Sequence, residues 1–308
     1  MKYEIKIEHA QEPSGSIELE RLIKIADGIR KISEGALQIR LRGISFTKGR
    51  KKILLQDALK VSLTGIKEGS TIMCLETEKF EKTLKHFQTN IFRAEAQADL
   101  PNETPISLFV KSFQDALTDD DQQELLDKPL LRELKNLKKA FFNEEELMIF
   151  SNQGSLPDLQ LRQNDFRKIK VLEDEIPDSQ SVILNGVVEL LQYSKLKVKI
   201  NTDEGIVDGF LSDELSSEDI APFWGKEVTI AGTSHFKPRG RSVIEIERVF
   251  EPGQGDIYFS KKPKSETVEM QLERQIREKG SNQLAQIFGK WPGEETDEEF
   301  EEMLKALD

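Results

Sequence analysis

The chain has 308 residues, a formal net charge of −12 at neutral pH and a mean hydropathy of −0.50, with 37% hydrophobic residues. This length and composition exclude a wholly disordered chain and suit two domains, or one large domain with appendages. The single cysteine, Cys74, excludes an intramolecular disulfide framework. Because we find no secretory signal and no apolar run long enough to span a membrane, we expect a cytoplasmic protein.

Residues 1–178 show the patterns of both strands and helices. Tyr3, Ile5 and Ile7 alternate with charged residues, as in a strand with one buried face. The next predicted elements are, in chain order, a helix from 17 to about 37 capped by Ser16, a hairpin of runs 57–66 and 70–78, helices at about 105–118 and 122–141, and a strand at 146–151. The polar stretch from there to 178 is ambiguous for helix. We predict an α+β or α/β N-terminal domain whose topology stays open.

Residues 179–252 differ, because short β-like runs recur at regular spacing. Five strands are predicted, at 182–190, 196–200, 206–211, 227–234 and 243–250, with a helical turn between the third and the fourth. This order is that of a small OB-like barrel, and an SH3-like barrel is the main alternative. Gly186 and Gly232 fall inside strands, where closing a small barrel requires sharp bends.

Residues 253–308 are predicted to form a linker helix followed by a partner-binding tail. Ser265 is placed to cap a helix that runs to Lys279, on which Val268, Leu272 and Ile276 recur every four residues. This narrow apolar line on a highly charged rod favours a lever or linker over a core helix.

The end of the chain combines a broken apolar segment with a short helix. Thr296 and Glu299 form a capping box, and the helix after it carries an apolar face that is too short to be stable alone. Residues 281–308 hold eight acidic and two basic residues, a net charge of −6 that suits a basic partner such as a nuclease.

This tail resembles the toxin-wrapping C-terminus of type II antitoxins whose partners are PIN-domain ribonucleases. The resemblance covers residues 284–307 and rests on Phe288-Gly289, on Trp291 and on the acidic helix start Glu294-Glu295-Thr296-Asp297-Glu298-Glu299. A weaker resemblance, carried by residues 58–71 and 223–232, is to uncharacterised bacterial proteins that are often encoded beside PIN-domain toxins. It implies an antitoxin-like protein that binds its toxin as a hetero-oligomer.

The resemblance implies a set of toxin-binding residues in the tail, with the aromatic and aliphatic side chains as anchors. The acidic residues are expected to meet the basic RNA-binding rim of the toxin, and the lysine to reach its metal-binding carboxylates. The set is Ile287, Phe288, Lys290, Trp291, Glu294, Glu295, Phe300, Leu304 and Leu307. The alternative is a terminal helix that docks on its own domain.

A second function, binding of single-stranded nucleic acid by the barrel, is suggested by basic loops. In OB-type barrels the loops after the first and fourth strands border the nucleic-acid face. Here they contain Tyr193, Phe236, Lys237, Arg239 and Arg241, with the two rings predicted to stack on bases and the cations to contact phosphates. The acidic residues Asp203, Glu204 and Asp208 lie close to the same face and oppose this interpretation.

Residues 1–80 match no classical antitoxin DNA-binding module. Binding of operator DNA would therefore depend on a separate cluster of basic residues. That cluster runs from Arg40 to Lys52, includes Arg42, Arg50, Lys51 and Lys52, and is expected to contact a phosphate backbone.

Catalytic residues, a metal site and a cofactor are not predicted. The chain has no nucleotide-binding glycine loop and no nucleophile elbow, and His9, His86 and His235 are far apart in sequence. We therefore expect a binding protein and no enzyme.

Overall fold

The computed structural model describes residues 1–46, 53–67, 71–84, 100–118, 121–152, 159–192 and 197–279. The chain divides into two compact units, Met1–Ser265 and Glu266–Asp308. None of the helices that the structure describes combines the length and apolar character needed to cross a bilayer.

The first unit contains both strands and helices. The strands are β1 Lys2–Glu8, β2 Val61–Lys67, β3 Thr71–Thr77, β4 Leu147–Ser151, β5 Leu159–Arg162, β6 Gln180–Gln192, β7 Lys197–Thr202, β8 Gly205–Leu211, β9 Glu227–Phe236 and β10 Ser242–Phe250. The helices are α1 Leu19–Arg42, α2 Ile53–Ala58, α3 Phe80–Thr83, α4 Pro105–Leu117, α5 Lys128–Asn136, α6 Asp165–Glu175 and α7 Ser217–Ile220, with α8 Val268–Lys279 in the second unit.

The N-terminal sheet has the strand order β2-β3-β1-β4-β5, and its described pairs are antiparallel. The prediction of alternation in β1 is confirmed, because Tyr3, Ile5 and Ile7 are buried and the residues between them are not. The predicted hairpin also forms, as β2 and β3. The prediction of mixed helices and strands is thus confirmed.

Helix α1 extends further than predicted, from Leu19 to Arg42. Every residue from Ile32 to Arg40 is buried, so the amphipathic stripe that marks a surface helix is lost there. The helix ends at Gly43, which has φ 92° and whose N–H donates to the Ile39 carbonyl. Ser16 does not cap it, because its hydroxyl donates to the Pro13 carbonyl at 2.7 Å.

The region predicted as one helix at 122–141 is interrupted. Asp127 accepts a hydrogen bond from the Leu130 N–H at 3.0 Å and so begins the separate helix α5. Short 3₁₀ turns occupy Asp121–Leu125 and Leu137–Ala140 on either side of it. The ambiguous stretch up to 178 contains β5 and α6.

Aromatic rings fill the space between this sheet and its helices. The Phe109 centroid lies 5.1 Å from that of Phe113 and 4.9 Å from that of Phe150, and Phe166 is 6.1 Å from Phe113 and 5.5 Å from Phe141. These edge-on and tilted contacts, which α4, β4 and α6 provide, hold the helical layer on the sheet.

Strands β6 to β10 close into a five-stranded barrel with the order β10-β8-β7-β6-β9. Four pairs are antiparallel, including the β6–β9 pair, and β8 pairs with β10 in parallel. The short helix α7 follows β8 and precedes β9. The prediction of a closed five-stranded barrel is confirmed.

The barrel docks on the N-terminal part through the end of β9 and through β10. Phe236 is 2% exposed and belongs to the N-terminal core. Arg42 forms an ion pair with Asp213 at 3.3 Å, and a Cβ at Gly43 would lie 3.6 Å from Val243 Cγ1. The chain after β10 stays in the first unit, with the Asp203 N–H donating to the Ser260 carbonyl at 3.1 Å.

Helix α8 is the described element of the second unit. It begins at Val268, and the Thr267 hydroxyl accepts a hydrogen bond from the Met270 N–H at 3.3 Å. Thr267 therefore takes the capping position that the sequence analysis assigned to Ser265.

Candidate partner-binding and nucleic-acid-binding sites

The apolar line of α8 is the described part of the predicted partner-binding segment. Val268 is 71% exposed, Leu272 52% and Ile276 60%, at a spacing of four residues. Scattered exposed apolar side chains are ordinary, but three on one helix face form a continuous strip. The tail residues from Ile287 to Leu307 that were predicted to bind a toxin lie outside the described residues, and their roles stay predictions.

The loop after β9 is placed differently from the sequence prediction. Phe236 is buried, and Lys237 is only 9% exposed, with its Nζ donating to the Glu124 carbonyl at 3.0 Å. A ring enclosed in the N-terminal core has no face for a base, so the stacking role predicted for Phe236 is wrong in this structure. The reason is that the barrel does not present this loop alone, because the N-terminal part packs against it.

Burial also changes the chemistry of Lys237. Loss of solvent lowers the pKa of its ammonium group, and the nearby positive charge of Lys197 lowers it further, while Asp127 and Asp208 oppose this shift. Lys237 is therefore a cation held at a site that disfavours its charge.

The other predicted residues of this loop, Arg239 and Arg241, are exposed to solvent. Arg239 is exposed and has φ 61°, and Arg241 is exposed while forming an ion pair with Glu124. Tyr193 and the predicted DNA-binding residues Arg50, Lys51 and Lys52 lie outside the described residues. Their proposed contacts with nucleic acid stay predictions.

A cleft of about 710 Å³ lies between the end of α1 and the outer face of the barrel. Strands β7, β8 and β10 form one wall, and the last turn of α1, with the turn at Glu124, forms the other. Lys262, from the segment that follows β10, completes the lining.

Basic side chains dominate this cleft. Among the described residues that line it, seven are basic and two, Glu124 and Asp208, are acidic. The basic residues are Arg40, Arg42, Lys197, Lys199, Lys237, Arg241 and Lys262. Because the chain as a whole carries a net charge of −12, the cleft is a local concentration of positive charge suited to an anionic ligand.

Lys237 and Arg241 were predicted to belong to the nucleic-acid site of the barrel, and Arg40 and Arg42 to the separate basic cluster of residues 40–52. Lys197, Lys199 and Lys262 were missed. A partial signal was present, because Lys197-Val198-Lys199 alternates along a predicted strand and so puts both lysines on its outer face. The position of Arg42 beside them depends on the docking of α1 on the barrel, which no local pattern encodes.

His235 lies between a hydroxyl group and a carboxylate. Its Nδ1 lies 3.1 Å from the Ser179 hydroxyl and its Nε2 lies 3.1 Å from the Glu245 carboxylate. Within the described ranges, no group of three or more His, Cys, Asp or Glu side chains is arranged to hold a metal ion.

Comparison with protein-family models, with curated proteins and with solved structures finds no match to this chain. Its function is therefore inferred from its own residues.

Proposed function

We propose that this chain is an antitoxin-like protein that binds and neutralises a PIN-domain ribonuclease toxin through its C-terminal unit, Glu266–Asp308. The supporting observation is the exposed apolar line of α8, formed by Val268, Leu272 and Ile276. The class of the partner rests on the resemblance of residues 284–307 to toxin-wrapping tails.

The physical basis is the burial of apolar area on binding. Leu272 and Ile276 are each more than half exposed, and covering them would contribute about 1 kcal/mol each at about 25 cal/mol per Å² of apolar area. That contribution is too small to hold a complex alone. The anchors of the tail, above all Phe288 and Trp291, would supply most of the affinity, while α8 extends the interface.

The test is co-expression with a PIN-domain ribonuclease encoded immediately downstream, followed by co-purification. We expect the intact chain to retain the nuclease, and the chain ending at Ser265 to lose it while keeping its melting temperature. Retention of the nuclease by the shortened chain would contradict the proposal.

A matched pair of variants tests the apolar line itself. Leu272→Ala with Ile276→Ala should weaken nuclease binding by about tenfold, which corresponds to roughly 1.4 kcal/mol. Glu269→Ala with Glu273→Ala, on the charged face of the same helix, should change it little at physiological salt. Equal effects of the two pairs would show that the apolar line is not part of the interface.

A second candidate function is nucleic-acid binding by the barrel, which we propose to be of the OB type. Its strand order, with β8 and β10 parallel and α7 between the third and fourth strands, favours this type over an SH3-like barrel. The basic cleft on the outer face of β7 and β8 supports the function. A salt-dependent affinity for oligonucleotides is its test.

A further inference from the structure

We propose that the cleft between α1 and the barrel binds the phosphodiester backbone of a single-stranded nucleic acid, and that it recognises the strand by charge without base stacking. This inference rests on the second candidate function, whose site it specifies, and is independent of toxin neutralisation.

The first support is the alignment of two lysines along β7. Val198 and Ile200 point into the barrel core, so Lys197 and Lys199 share the outer face of the strand. They are two residues apart, or about 6.6 Å along a strand, which is comparable with the distance between successive phosphates of an extended nucleic-acid strand. The Lys199 side chain is 47% exposed, and its Nζ lies 3.9 Å from the Asp208 carboxylate, which is a long distance for an ion pair.

The second support is that cations occur on both walls of the cleft. The α1 wall contributes Arg42, whose side chain is 28% exposed, and the loop after β9 contributes Arg241, at 54%. Arginine offers several donors in a planar fork that matches phosphate oxygens. A strand lying between the walls would therefore meet Lys197 and Lys199 on the barrel side and Arg42 on the α1 side. It would compete for Arg42 with Asp213 and for Arg241 with Glu124.

The third support is that the segment after β10 brings a lysine to the acids of the turn between β7 and β8. Asp203, Glu204 and Asp208 were predicted to oppose nucleic-acid binding, and Asp208 does line the cleft, 3.9 Å from Lys199. In the structure the Asp203 carboxylate accepts a hydrogen bond from the Ser260 hydroxyl, and the Glu204 carboxylate accepts one from the Lys262 N–H at 3.0 Å. Both carboxylates keep their charge, because these donors are neutral, but the same segment places Lys262 in the lining of the cleft.

The mode of recognition follows from the composition of the lining. None of the described residues that line the cleft is aromatic, and the Phe236 ring is buried. Binding should therefore tolerate any base sequence and depend strongly on salt, since neutralised phosphates release their counterions. An acidic protein segment is the competing occupant. The position of the cleft on β7 and β8, the second and third barrel strands, favours the nucleic acid, because that face of OB-type barrels binds oligonucleotides.

The experiment is fluorescence anisotropy of a labelled oligothymidylate of about ten nucleotides with the full chain at low salt. The cleft variant is Lys197→Gln with Lys199→Gln. The matched control is Lys168→Gln with Lys170→Gln, two exposed lysines of α6 outside the cleft. We expect the cleft variant to bind at least tenfold more weakly, with a salt slope reduced by about 1.4 because each lost contact to a single strand removes roughly 0.7. The control should match the unmodified chain, and all melting temperatures should agree.

Different outcomes would contradict the cleft as the binding site and nucleic-acid binding as the function. Binding that is equally weakened in both lysine pairs, or in neither, would overturn the cleft as the site while leaving nucleic-acid binding in place. Absence of binding by the unmodified chain would overturn both. Two competitors test the identity of the ligand at equal concentration of charge. Displacement of the oligonucleotide by pyrophosphate would show that the ligand is a small phosphate compound, and displacement by polyglutamate would show that it is an acidic protein. Either result would overturn the inference.

Discussion

Arg21 is the largest fully buried charge among the described residues, and its guanidinium is held by two carboxylates. Nη1 donates to Glu12 at 2.6 Å and Nη2 donates to Glu146 at 2.7 Å. The guanidinium carbon also lies 4.5 Å from the centre of the Phe142 ring. Such a network adds little net stability, but removing Arg21 leaves Glu12 and Glu146 as buried carboxylates that have lost their positive partner.

We therefore predict that Arg21→Ala lowers the free energy of unfolding by about 3–5 kcal/mol. Lys24→Ala is the control, because Lys24 lies on the same helix and pairs with Glu20 at 2.8 Å on the surface. That exposed pair should be worth no more than about 0.5 kcal/mol. Urea denaturation at neutral pH measures the free energy of unfolding of both variants. Similar losses of stability in the two would contradict the prediction that the buried network is the more sensitive to truncation.

The second prediction at the scale of single residues concerns Lys237 and the dependence of stability on pH. Because burial lowers the pKa of this lysine, the unfolded chain binds more protons than the folded chain between the lowered pKa and the ordinary lysine value of about 10.4. Stability contributed by this position therefore rises with pH through that window. We predict that Lys237→Met is more stable than the unmodified protein at pH 7 and that its advantage shrinks as the pH approaches about 10. An advantage that stayed constant or grew between those values, measured by urea denaturation, would refute this assignment.

At the scale of single elements, two glycines set the geometry of the barrel. A Cβ at Gly232 would lie 2.0 Å from the Glu245 carbonyl oxygen, and one at Gly186 would lie 2.4 Å from the Asn201 carbonyl oxygen. Both contacts are with the backbone of the neighbouring strand, which cannot move aside without breaking the pairing. Close approach of the strands is thus the physical reason for these glycines.

We predict that Gly232→Ala destabilises the first unit by about 3 kcal/mol or more, since overpacking against backbone forces the strands apart. Gly65→Ala is the control, because Gly65 also lies in a strand but has no atom within 4 Å of the added carbon. That change should be neutral or slightly stabilising through the unfolded chain. Thermal unfolding compares the two, and equal tolerance of both substitutions would argue against the close strand approach.

The sequence predicted the barrel elements closely and the helical region less well. Alternation and regular spacing placed all five barrel strands, and Gly186 and Gly232 were identified from their unusual position inside strands. The end of α1 was missed because polar Glu34, Gln38 and Arg40 interrupt the apolar stripe there, and their burial depends on the rest of the fold. The break before Lys128 was missed because its signal is a single capping residue, Asp127.

At the scale of the whole molecule, local patterns could not predict how the barrel meets the N-terminal part. The basic loop after β9 was interpreted as solvent-facing, yet it supplies Phe236 to the neighbouring core and Lys237 to a contact with Glu124. The same docking brings Arg42 to the lysines of β7 and so creates the cleft. Long-range packing of this kind depends on the shapes of two folded surfaces, which local sequence patterns do not encode.

The central claim, that the C-terminal unit neutralises a ribonuclease, is tested most directly at Trp291. Cells that co-express the cognate PIN-domain nuclease should survive with the unmodified chain and lose protection with Trp291→Ala. Truncating a buried interface aromatic costs about 2 kcal/mol or more, or roughly a thirtyfold loss of affinity. Glu295→Ala should remain protective at physiological salt, because a rim carboxylate mainly changes the association rate. We expect this loss together with an unchanged melting temperature of the free Trp291→Ala protein. A lowered melting temperature with nuclease binding intact would contradict it, because Trp291 would then belong to the core of this chain.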